Sequence, residues 1–151
     1  MWKAFKSVKD DSEHGVECFA LGQDVACVFH MMLVLERGLV ALANQLKVKR
    51  GVKEWGRLIA DIQDAIAALA AARASRPKGS KPPSTKAARA FAKRIKFYSE
   101  AAKEFSYFKD AWRNHVAHGR AKYDRNDARK VMTHVREFMV ILQAGGLKET
   151  T

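Results

Sequence analysis

The sequence predicts an all-α fold, an up-and-down bundle of four main helices. Three observations lead there. Apolar residues recur at steps of three and four through most of the chain. No stretch alternates apolar and polar residues with the period of a strand, and no Asn-Gly hairpin signal occurs. The three prolines, Pro77, Pro82 and Pro83, fall together between periodic segments rather than within one. At 151 residues with 48% apolar content, the chain is expected to form one domain over 1–151 and to bury a core without disulfide or metal staples.

The first helix is predicted over about 12–48, with Ser12 as its N-cap. Val28, Met32, Leu35, Leu39, Leu42 and Leu46 form a heptad-like seam. Phe29, Leu33, Val34 and Val40 add apolar groups on other faces. A helix apolar nearly all round belongs at the centre of a bundle or in an oligomer seam. His30 within it reads first as a hydrogen-bonded packing residue. Residues 1–11 carry no pattern that dictates structure.

Gly51 punctuates a basic turn, and a second helix follows over about 52–72. Trp55, Leu58, Ile59, Ile62, Ile66 and Leu69 supply its buried face. The low-complexity stretch 73–84 is expected to be a mobile basic loop, because its prolines remove backbone donors and fix φ. The third helix is predicted over about 85–118, with Phe91, Ile95, Tyr98, Ala102, Phe105, Phe108, Trp112 and Val116 along one flank. Gly119 supplies its stop signal. Asp124 or Asn126 then caps a fourth helix, about 126–144, whose core stripe is Ala128, Val131, Val135, Phe138 and Leu142. Gly145 and Gly146 end it.

Charge is distributed unevenly. The net charge is +12, and the window 73–99 holds nine basic residues and no acid. Lys86, Arg89, Lys93, Arg94 and Lys96 crowd the start of the third helix, where cations oppose the helix dipole. A one-signed stretch concentrates polyanions, so these five are the expected RNA-binding residues. The same run read without a partner is a solvated helix face. Cys18 and Cys27 form no C-x-x-C pair and sit in helical apolar context. Buried free thiols in a cytoplasmic protein fit that usage. The opening residues lack the apolar segment of a signal peptide, and His30, Glu36, Arg37 and Asn44 interrupt the most apolar stretch, which argues against a membrane span.

The densest chemistry lies in 105–118, which reads Phe-Ser-Tyr-Phe-Lys-Asp-Ala-Trp-Arg-Asn-His-Val-Ala-His. Aromatic anchors give way to Arg113, Asn114, His115 and His118 at a helix end. Asn114 and His118 are i,i+4 neighbours, whereas Arg113 and His118 lie roughly 140° apart on an ideal helix. They converge on one atom only if the helix loosens near Gly119 or a second copy of the chain brings them together. His118 can carry protons near neutral pH, and Arg113 presents a fork matched to phosphate oxygens. Asn114 can orient either the phosphate or the ring. Lys109, His115, Arg120 and Tyr123 are the supporting candidates. His115 and His118 lack a Cys or carboxylate at recognised metal-ligand spacing, so no metal is expected. No phosphate-binding glycine loop, dinucleotide turn or Gly-x-Ser-x-Gly elbow is present, and no cofactor is expected.

Arg113-Asn114-x-x-x-His118 near the end of a long helix resembles the signature of the HEPN superfamily. The run Phe-Lys-Asp-Ala-Trp-Arg-Asn-His-Val-Ala-His is similar to a group of bacterial HEPN-like proteins. This resemblance implies a metal-independent endoribonuclease acting on RNA, in which the Arg and His form a composite site across a homodimer and leave cyclic phosphate ends. It also implies membership of toxin–antitoxin or phage-defence systems, with a cognate antitoxin protein as a partner. Family toxins silenced by nucleotide attachment carry a Tyr two residues after the His. Arg120 stands there in this chain, with Tyr123 three residues further on, so that regulation is not carried over. Two other readings stand beside the nuclease: a non-catalytic HEPN module that binds RNA or a partner protein, and a helical protein whose polar cluster is a structural network.

Overall fold

The computed structural model describes residues 3–49, 54–75, 84–117 and 123–149, with the side chains of 112–117 outside that description. Five helices and no strand are found among the described residues. They are α1 (Val8–Ala20), α2 (Asp24–Gln45), α3 (Trp55–Ala74), α4 (Thr85–Ala117) and α5 (Arg125–Ala144). The all-α class is as expected. The long first helix is not: it divides into α1 and α2.

Gly22 causes the division. It adopts φ +74°, a left-handed conformation that suits glycine. The Gln23 amide then donates to the Cys18 carbonyl at 2.8 Å and the Gly22 amide to Phe19 at 3.1 Å. This paired bond pattern closes a helix C-terminus and reverses the chain. The same device ends α5, where Gly146 at φ +88° precedes Leu147, whose amide donates to Leu142. It also ends α2, with Lys47 taking the left-handed position at φ 57°. Ser12, expected as an N-cap, is instead buried inside α1, which begins at Val8 with Ser7 as its flanking residue.

The first residues join the core rather than standing apart from it. Phe5 and Val8 are fully buried. The Glu149 amide donates to the Ala4 carbonyl at 2.9 Å, and the Glu149 carboxylate accepts from both the Ser7 amide and the Ser7 hydroxyl. A side chain from the C-terminal tail thereby caps a helix that lacks a cap of its own.

Contacts fix the helix directions. Gly15 lies against Cys27, His30 and Met31, so α1 and α2 form an antiparallel pair. Asp24 meets Arg125 near the start of α5, and Gly38 lies against Met139 and Leu142 near its end, so α2 and α5 run in the same direction. Strict up-and-down alternation from α2 to α5 would oppose those two helices; they run parallel instead, and the alternation breaks between α2 and α3, which point the same way. α4 runs antiparallel to α5, with Phe105 on Phe138 (centroids 5.0 Å) and Phe108 on His134 (4.7 Å). α3 opposes α4: Arg73 sits over the Phe91 ring at 4.3 Å, and Gly56 lies beside Lys109.

α2 is the hub, and it touches every other helix. Val28, Val34, Leu35, Leu39 and Leu42 are essentially inaccessible. At Gly38 a Cβ would stand 2.8 Å from Leu142 and 3.3 Å from Phe105, so three helices meet where a side chain is missing. α2 is long and apolar enough to cross a membrane, with mean hydropathy 1.8, yet half of that stretch is buried within the bundle. Cys27 is buried and Cys18 half-buried, both free thiols. Burial, then the neighbouring Cys18 and Asp24, pushes the Cys27 thiol above its usual range.

α5 starts with a reciprocal cap. The Asp124 carboxylate accepts from the amides of Asn126 and Asp127 at 2.8 and 2.9 Å, and the Asp127 carboxylate accepts from the Asp124 amide. Asp124→Ala should lower stability by about 1 kcal/mol. Asp124→Asn, which keeps an acceptor oxygen, should lose much less; chemical denaturation of the pair reads the difference.

Candidate functional site

α4 is helical as far as it is described, to Ala117, so the backbone of Arg113, Asn114 and His115 belongs to its final turns. Their side chains, together with His118 and Arg120, lie outside the described residues, as does most of the loop 73–84. The residues around them are described. Lys109 is half-buried, with its ammonium 3.1 Å from Asp110, the partner that a cation beside the apolar flank requires.

Tyr123 is half-buried and packs on the core just ahead of α5. Burial, and then the charge of Asp127, raises its phenol above the usual value, so it stays a neutral hydroxyl across the physiological range. Tyr123 also lines an open groove of about 710 Å³ whose other walls are Gly22, Gln23, Asp24, Val25, Ala26 and Phe29. The antiparallel relation of α4 and α5 puts this groove at the end of the bundle where α4 finishes. Phe29 and Val25 are about half exposed there, and Leu21 is exposed beside them. Arg125 spans the corner. It stacks on the Phe19 ring at 3.9 Å, donates to the Phe19 carbonyl and reaches to 3.6 Å from Asp24. None of Gln23, Asp24, Phe29 or Arg125 stands out as a site residue in the sequence, because only the turn at Gly22 carries α1 and α2 to this end.

The five expected RNA-binding residues sit on the first half of α4. Lys86, Arg89, Lys93, Arg94 and Lys96 are all exposed. Arg94 lies 5.7 Å from the Phe91 ring, and Lys96 lies 3.8 Å from Glu100. Further along the same helix, Glu104 bonds His134 of α5 at 2.6 Å. A second groove, about 300 Å³, opens there between α4 and α5 and is lined by Glu100, Glu104 and Glu137 over Phe97, Phe138 and Ile141.

His30 occupies the packing role first assigned to it. Its Nδ1 is 3.0 Å from Asp11, and the His14 ring stands 5.3 Å away. Glu36 and Arg37 are exposed. Among the described residues, no group of three or more His, Cys, Asp or Glu side chains is placed to hold a metal ion.

No protein-family model matches the chain, and neither a curated protein nor a solved structure does.

Proposed function

We propose that the chain is a metal-independent endoribonuclease of the HEPN type, acting in the cytoplasm as a homodimer. His118 moves the proton, Arg113 stabilises charge on the phosphate and Asn114 orients the reacting groups. The observation that carries this reading is the spacing Arg113-Asn114-x-x-x-His118 at the far end of a long helix whose near end is basic and exposed. Cleaving RNA without a metal needs a group to take the 2′-hydroxyl proton, a group to protonate the leaving oxygen and positive charge on the phosphorane. An imidazole and a guanidinium meet those needs. The open groove at Tyr123 and Phe29 offers aromatic surface for an unstacked base close to the same end of the bundle. The biological setting proposed with it is a toxin or phage-defence system whose cognate antitoxin protein restrains the cleavage.

The test is incubation of purified protein with single-stranded RNA in excess EDTA, with analysis of the new ends. Cleavage leaving 2′,3′-cyclic phosphates supports the reading. RNA that is bound in a salt-sensitive manner yet remains intact defeats it, and would favour a non-catalytic RNA-binding module built on the exposed basic half of α4.

A further inference from the structure

One face of α4 is covered over only part of its length: Phe97 packs against Gly145, and Glu104 and Tyr107 meet His134 of α5, whereas Lys86, Arg89 and Lys93 meet no neighbour among the described residues. At about 100° per residue, Lys86, Arg89, Lys93, Phe97, Glu100, Glu104 and Tyr107 fall on a single stripe. Phe91, Ile95, Tyr98 and Ala102 fall on the opposite side, and Arg73 of α3 covers Phe91 there. Ala101 and Phe108 lie to one flank, toward α5. Along the stripe Lys86, Arg89, Lys93, Glu100 and Tyr107 are exposed, while Phe97 and Glu104 are half-buried.

Its charges are segregated, basic before Phe97 and acidic after. They are also symmetric about the midpoint between Lys96 and Phe97. Turned end for end on that point, Lys93 falls on Glu100, Arg89 on Glu104 and Lys86 on Tyr107. We propose that this face pairs with the same face of a second copy, α4 against α4 in antiparallel register. Lys93 would meet the partner's Glu100, and Arg89 the partner's Glu104, in the groove between α4 and α5.

Two-fold symmetry makes each contact occur twice, as a self-complementary seam requires. The groove fits the task. Its acidic wall of Glu100, Glu104 and Glu137 stands in a chain of net charge +12, and Phe97, Phe138 and Ile141 supply apolar floor and rim. Ile141 is 55% exposed, surface that a partner helix would cover. Glu104 already holds His134, which fixes its carboxylate in place for an incoming guanidinium. An RNA strand would be repelled by that acidic half. A second copy of α4 neutralises both halves at once.

This inference goes beyond the ribonuclease reading and does not depend on it. It draws Lys86, Arg89 and Lys93 into the seam and leaves Arg94 and Lys96 at the rim for RNA. It also holds the two Arg113 residues at the far ends of the dimer, roughly 50 Å apart at 1.5 Å per residue. This seam is therefore not the composite arrangement that the HEPN resemblance implies.

The experiment is sedimentation or light scattering on nucleic-acid-free protein, which needs no activity readout. Wild type should dimerise at about 50 mM salt and weaken by about tenfold or more at 300 mM, because exposed ion pairs are screened over a Debye length of roughly 10 Å. Arg89→Glu/Lys93→Glu and Glu100→Lys/Glu104→Lys should each be monomeric, and mixing the two should restore a dimer. If the Glu104 change disturbs folding by circular dichroism, Lys93→Glu and Glu100→Lys are exposed single changes that make the same pair. A monomeric wild type, charge variants that dimerise as wild type does, a mixture that stays monomeric, or association that vanishes with removal of RNA would each overturn the proposal.

Discussion

His118→Ala should lower RNA cleavage by about 10²- to 10⁴-fold, the range for removing a general acid or base. Binding should change little, because an imidazole contributes little to holding a polyanion beside so many lysines and arginines. Arg113→Lys separates charge from shape. Lysine keeps the positive charge but loses the planar fork, so turnover should fall while the salt dependence of binding stays the same. Single-turnover cleavage together with filter binding reads both quantities. Full activity in His118→Ala would remove the imidazole from the chemistry. Mixing Arg113→Ala with His118→Ala chains then tells whether the two groups act within one chain or across a dimer. The α4 seam, with the motifs at its far ends, predicts no recovery.

Phe105→Ala should cost about 3 to 5 kcal/mol of folding stability. Phe105 is fully buried where α2, α4 and α5 meet. Its ring lies edge-on to Phe138 at 5.0 Å and close to the backbone of Gly38, so nothing small is positioned to fill the space it leaves. The transition should move down by roughly 10 °C or more for a chain of this size. Tyr107, two residues on, is 60% exposed and should tolerate alanine within about 0.5 kcal/mol. Similar losses for the two variants would contradict an α4 that turns Phe105 inward and Tyr107 outward. Thermal and chemical unfolding followed by circular dichroism decide it.

The third and fourth predicted helices lie close to their positions in the structure, α4 at Thr85–Ala117 and α5 at Arg125–Ala144. Both have long apolar stripes, and of the two expected caps of the second, Asp124 and Asn126, it is Asp124 that takes the position. The first predicted helix fails at Gly22. A heptad-like seam further on favours a continuous reading, while a lone glycine among Leu and Gln is a weaker local signal than the paired bonds it supports. The N-terminal eleven residues escape a sequence reading for a related reason. Phe5 and Val8 are too few to show a period, and the segment that carries them is tied at Ala4 and Ser7 to Glu149 at the other end of the chain.

Of the functional candidates, the exposure of Lys86, Arg89, Lys93, Arg94 and Lys96 was legible, because a run of cations on a helix with an aromatic flank must turn outward. The groove around Tyr123 and Phe29 was not. Its walls come from residues about a hundred positions apart, and no spacing rule connects them. The Glu104–His134 bond was hidden in the same way.

The sequence was enough for the helical class, the cation-rich start of α4 and the placing of Arg113 and Asn114 in that helix's final turns, since all three follow from local periodicity and composition. Only the tertiary structure decided that α2 and α5 run parallel, that three helices meet at Gly38 and that Lys86, Arg89 and Lys93 on α4 are left without a cover among the described residues. These depend on which stripe packs against which, and a stripe alone carries no information about its partner.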